Sequence, residues 1–87
     1  MLKNYIEKYV KKLDINDFND FAIKNNILLN TNELTLLYDY AKKYWETIIY
    51  SDQYIILSKI ENKINYKAYK QIEELILIYK EKYNKYL

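Results

Sequence analysis

Residues 30–50, NTNELTLLYDYAKKYWETIIY, decide the fold. Asn30 and Glu33 stand at capping-box spacing, in which the first side chain accepts an N–H three residues on and the second reaches back. Behind them Leu34, Leu37, Tyr38, Ala41, Tyr44, Trp45, Ile48 and Ile49 recur at helical intervals. At 100° per residue they form one broad apolar stripe, so a helix over 31–50 is predicted, with one face needing cover along its whole length.

Toward the N-terminus, Asn25 and Asn26 supply a stop, because asparagine tolerates the left-handed backbone that glycine would otherwise provide. Before them Phe18, Phe21 and Ala22 form the inner face of a short helix ending near Lys24, opened by Asp14 as N-cap, with Asp17 favouring the helix dipole. Leu2, Ile6, Tyr9, Val10 and Leu13 share a stripe on a first helix from about residue 2 to 13. Toward the C-terminus, Ser51 and Asp52 break the long helix and start a short one through Ile56 and Ile60. A turn over 62–65 follows, and Asn65 caps a last long helix reaching nearly to the end.

The predicted class is therefore all-α: one domain over residues 1–87, a bundle of five helices ordered short, short, long, short, long. Its expected core comprises Ile6, Val10, Phe18, Phe21, Leu34, Leu37, Ala41, Trp45, Ile48, Ile56, Ile60, Ile72, Ile76 and Tyr79. A chain of 87 residues has room for one such core and no second domain.

Composition narrows the chemistry. The sequence has no glycine, proline, cysteine, histidine or arginine. It thus has no thiolate nucleophile, no imidazole base, no zinc or haem ligand set of the usual kind, and no glycine-rich phosphate cradle. The stretch Asp14–Asp20 gathers carboxylates and amides, but Phe18, Asn19 and Asn25 stand where a calcium loop needs a ligand, a glycine and a glutamate. Glu73 and Glu74 are adjacent, so on a helix they point about 100° apart and cannot share a substrate. The protein is expected not to be an enzyme, with no catalytic, cofactor-binding or metal-binding residues and no small-molecule substrate.

Lys, Asn, Ile and Tyr make up more than half of the chain and are the amino acids of A/T-rich codons, so lysine in place of arginine reads as a genomic bias. The net charge of +2 is mild, and lysines and acids are spread evenly over both halves. The longest apolar run, Leu75 to Tyr79, is far too short to span a bilayer. The charged start MLKNYIEKYVKK lacks a signal peptide's apolar core, so no membrane association and a cytoplasmic location are expected.

The last helix carries the strongest functional signal. Tyr69, Ile72, Ile76, Tyr79, Tyr83 and Tyr86 alternate at steps of three and four, a seam suited to packing along another helix. Leu77 and Ile78 lie roughly 120° to 140° from its centre, which makes the helix apolar nearly all round and calls for cover on a second side. Leu77, Ile78, Tyr83 and Tyr86 are the candidate protein-binding residues of an adaptor or inhibitor whose partner is another protein or a second copy of the chain. The alternative is a nucleic-acid-binding domain: Lys59, Lys63, Lys67 and Lys70, with Tyr66 among them, would pair ammonium groups with phosphates and stack a ring on bases. The spacing of the helices over 15–45 is also that of a helix-turn-helix.

The run VKKLDINDFNDFAIKNNILLNTNELTLLYDYAKKYW, together with KAYKQIEELILIYKEKY, resembles a small domain-of-unknown-function family of Bacilli and related Firmicutes. That family has a capped short helix, a loop ending in an apolar residue, a second cap and a long helix. Phe18, Phe21, Ala22, Ile27, Glu33 and Leu34 match it, while Asp14 and Asn30 stand where Ser or Thr is usual. The resemblance implies an all-helical cytoplasmic protein and transfers no functional residue.

Overall fold

The computed structural model describes residues 2–84, which form five helices and no strand. They are α1 (Leu2–Lys12), α2 (Ile15–Lys24), α3 (Thr31–Tyr50), α4 (Tyr54–Ile60) and α5 (Tyr66–Tyr83). Their order and lengths follow the sequence pattern, and so do the caps. Asp14 accepts the Asp17 N–H at 2.9 Å while the Asp14 N–H donates to the Asp17 carboxylate at 3.3 Å, a full capping box. The same reciprocal pair joins Asn30 and Glu33 at the start of α3. Asn65 opens α5 by accepting the Ala68 N–H at 2.8 Å. Asp52 accepts the Tyr54 N–H at 2.9 Å and so turns the chain into α4.

Without glycine the helix ends need other devices. At the end of α2, Asn26 takes φ 60°, and the Asn26 and Ile27 N–H groups close onto the Ile23 and Ala22 carbonyls at 3.0 and 2.9 Å. This is a Schellman turn with asparagine at the left-handed position. The end of α1 is closed from outside: Lys42 Nζ donates to the carbonyls of Val10, Leu13 and Lys11 at 2.8, 3.0 and 3.1 Å, and the Tyr38 hydroxyl donates to Leu13 at 2.8 Å. At the end of α3, Lys80 Nζ donates to the Ser51 carbonyl at 2.6 Å and to the Gln53 side chain at 2.9 Å. An ammonium group suits these places because helix C-termini carry free carbonyls and partial negative charge.

The buried cluster joins Ala22 and Ile27 at the end of α2, Leu37 of α3, Leu57 and Ile60 of α4, Ile64 of the turn, and Ala68 and Tyr69 of α5. Several expected core positions lie elsewhere. Helix α1 has no buried residue, so Ile6 and Val10 are only half-buried and Tyr9 faces solvent. Besides these half-buried contacts, the Lys42 bonds to its terminal carbonyls and the exposed Lys3–Glu46 ion pair join it to α3. Phe21 is exposed, because the buried face of α2 turns on Ala22 at the Schellman turn. Tyr79 is exposed too: Lys80 takes the inward position over the end of α3, and the Tyr79 ring instead stacks on Tyr83 at 6.1 Å. Helix α3 departs from helical geometry at Tyr44 (φ −119°, ψ 17°), and Trp45, Ile48 and Ile49 beyond it are half-buried.

Candidate functional site

Glu33 is the polar centre of the fold. Its carboxylate accepts the Asn30 N–H at 2.9 Å to complete the α3 cap, and from the other side accepts the Asn65 N–H at 2.6 Å. The Asn65 amide also donates to both carboxylate oxygens at 3.3 Å and to the Leu28 carbonyl at 3.2 Å. One buried side chain thus fastens the starts of two long helices. The Asn30 backbone donor holds the Glu33 carboxyl below the ordinary carboxylate range, against the opposing effect of burial and with further help from Asn65. A carboxylate held charged by three donor nitrogens is a structural group, unsuited to proton transfer near neutrality.

The two carboxylates excluded as an acid–base pair have separate surroundings. Glu73 accepts from Lys70 Nζ at 2.6 Å, which with the Tyr54 hydroxyl lowers its pKa. The same hydroxyl bond raises the Tyr54 pKa. Glu74 is exposed. Among the described residues, no cluster of three or more acidic side chains could hold a metal ion.

The lysine and tyrosine patch of the nucleic-acid alternative lies on α4, the following turn and the start of α5. Lys70 is paired with Glu73. Lys59 and Lys63 are exposed, with Lys59 over the Tyr44 ring at 5.4 Å and Lys63 over Tyr40 at 5.8 Å in cation–π placements. Tyr66 and Lys67 are exposed.

The candidate protein-binding residues of α5 lie together on its second half. Leu77 is 44% exposed, Ile78 52% and Tyr83 40%; Tyr86 lies outside the described residues. Tyr79, which sequence reasoning placed in the core, is 42% exposed beside Tyr83 on the seam side of the same helix segment. The shift in role was hidden because a three-and-four alternation marks a face without saying how far along that face the neighbouring helices reach.

One apolar feature leaves no trace in the sequence pattern. A cavity of about 210 Å³ opens between α2, α3, α4 and α5, lined by apolar side chains that include Phe18 and Phe21, Ala41 and Ile48, Ile56, and Ile72 to Ile76 in part. Protein interiors rarely leave voids larger than a water molecule. An apolar space of this size, open to solvent on one side, leaves the side chains of its wall without packing partners. Two of its lining residues, Ala22 and Ala41, are among only three alanines in the chain.

The chain matches no protein-family model, no curated protein and no solved structure. No helix among the described residues is long and apolar enough to cross a membrane.

Proposed function

We propose that the protein is a non-catalytic, cytoplasmic binding module, an adaptor or inhibitor that presents the outer face of α5 to another protein or to a second copy of itself. The observation that carries this reading is the concentration of large apolar side chains around the second half of α5, where Leu77, Ile78, Tyr79 and Tyr83 are each two-fifths or more exposed, on a helix that buries Ala68 and Tyr69 in its first half. Scattered exposed apolar residues are ordinary, whereas four within seven residues of one helix favour a contact surface there. Tyrosine suits it, combining a large rigid ring with a hydroxyl that hydrogen-bonds at the rim. The nucleic-acid alternative has weaker support, since Lys70 is neutralised by Glu73 and Lys59 and Lys63 turn onto rings.

Light scattering over a concentration series, followed by pull-down from a native lysate, tests the proposal with wild type and a Leu77→Lys, Tyr83→Lys double variant. Expected is association or capture by wild type and its loss in a variant that remains folded. A wild type that stays monomeric and recovers nothing, beside a double variant that unfolds, would place these side chains in the core and end the proposal.

A further inference from the structure

We propose that the cavity between α2, α3, α4 and α5 is a binding site for a small neutral hydrocarbon group, a single aromatic ring or a compact alkyl chain of about six to eight carbons. The size follows from the volume. A dry cavity of about 150 Å³ lined by aliphatic and aromatic side chains accommodates benzene, and this one, at about 210 Å³, has room for one or two carbons more.

The class of ligand follows from the walls. No lysine, aspartate or glutamate lines the space, and the only hydroxyl-bearing side chain on its wall is that of Tyr40. Every buried side-chain nitrogen and oxygen among the described residues already has a partner. A resident water needs two to four polar partners, which this wall does not supply, and a charged ligand would lose its hydration without replacement.

The space also has reasons to persist. Helix α5 is pinned by polar bonds on three sides: Asn65 to Glu33, the Gln71 amide to the Asn26 carbonyl at 3.1 Å, and Lys80 to Ser51. These bonds oppose its settling inward, while alanine at 22 and 41 keeps the facing walls of α2 and α3 short. Phe21, 44% exposed, marks where the cavity meets solvent. The site is distinct from the exposed apolar residues of α5, because Leu77, Ile78, Tyr79 and Tyr83 do not line it.

The test uses toluene, 1-hexanol and hexanoate as probes of the full chain, read by methyl NMR shifts and thermal unfolding. Toluene should bind saturably at one site, shift the methyl signals of Ile48, Ile56, Ile72 and Ile76, and raise Tm by roughly 5 °C near saturation. Hexanoate should bind at least about tenfold more weakly than 1-hexanol. Ala41→Leu should fill the space and abolish toluene binding; if that variant does not fold, Ala41→Val takes its place with a partial loss expected. The Leu77→Lys, Tyr83→Lys variant should bind toluene as wild type does. No saturable toluene shift in wild type, equal affinity for hexanoate and hexanol, or undiminished binding by a folded Ala41 variant would each overturn the proposal.

Discussion

The two halves of α5 are built on opposite terms. The first half starts on Asn65, whose backbone and side chain are both bonded to Glu33, and buries Ala68 and Tyr69 almost completely. The second half packs Leu75 and Ile76 against the core but leaves Leu77, Ile78, Tyr79 and Tyr83 two-fifths or more exposed, and its Lys80 bonds the end of α3. The second half is the more apolar of the two, with six apolar residues against four, so hydrophobicity alone does not decide which part is buried. A directional polar bond to a short side chain fixes where the first half sits, whereas a long ammonium arm over the end of α3 satisfies carbonyls without drawing the second half in.

The largest effect should come from truncating the interior beneath the pinned half. Leu57 is the most completely enclosed large side chain, 2% exposed, so Leu57→Ala should cost about 3 to 5 kcal/mol in urea unfolding through lost transfer energy and a new cavity. Leu77→Ala removes the same atoms from a position 44% exposed and should cost less than about 1 kcal/mol. Similar losses at both positions would erase the distinction between the halves.

Next in size is the pin itself. Glu33→Ala removes the capping-box return to Asn30 and leaves the Asn65 N–H without its acceptor, for an expected loss of about 3 kcal/mol. Glu74→Ala, on the exposed face of α5, should leave the unfolding curve in place. Equal stability of the two variants would show that the first half of α5 is held by packing alone.

A smaller effect concerns pH. The Glu33 carboxyl titrates below its unfolded value, so the folded state binds fewer protons than the unfolded chain over the intervening range. Its contribution is fully present above the ordinary carboxylate pKa of about 4.3 and is lost as pH falls through the lower folded value. Glu73, half-buried and lowered by Lys70 and Tyr54, acts in the same direction, weakened where solvent reaches its exposed Lys70 partner. Unfolding midpoints should therefore fall below about pH 4.3, and Glu33→Gln should flatten that slope more than Glu73→Gln does. A steeper response in the Glu73 variant would move the acid sensitivity to the outer surface.

These contrasts show what a linear pattern can convey. Caps are local, so Asp14, Asn30 and Asn65 were each legible from neighbours within three residues, and the left-handed Asn26 was legible from the absence of glycine. That Glu33 and Asn65 meet across 32 positions was not legible, because capping chemistry at either site is complete without the other. The stripe of α5 showed which side chains share a face, but the inward turn of Lys80 decides where burial along that face ends. The outward position of Leu77 and Ile78 could be read from their angle to the seam, whereas the cavity depends on the distance between four helices and leaves no periodic trace.

The smallest expected effect sharpens the comparison most. Leu77→Lys with Tyr83→Lys replaces two large apolar side chains, both two-fifths or more exposed, by lysines that keep an aliphatic stem along the helix surface. If the second half of α5 is a surface, the thermal unfolding midpoint should fall by no more than about 1 kcal/mol equivalent, a few degrees for a domain of this size. Trp45, half-buried with its ring edge-on to Tyr50 at 6.4 Å, gives an independent reading, since its emission should match wild type if the interior is undisturbed. A loss as large as that of Leu57→Ala, with Trp45 emission moving to the red, would mean that these residues support the fold. A neutral result would leave exposed apolar area that the fold does not need, so that binding lost in this variant could be assigned to the face itself.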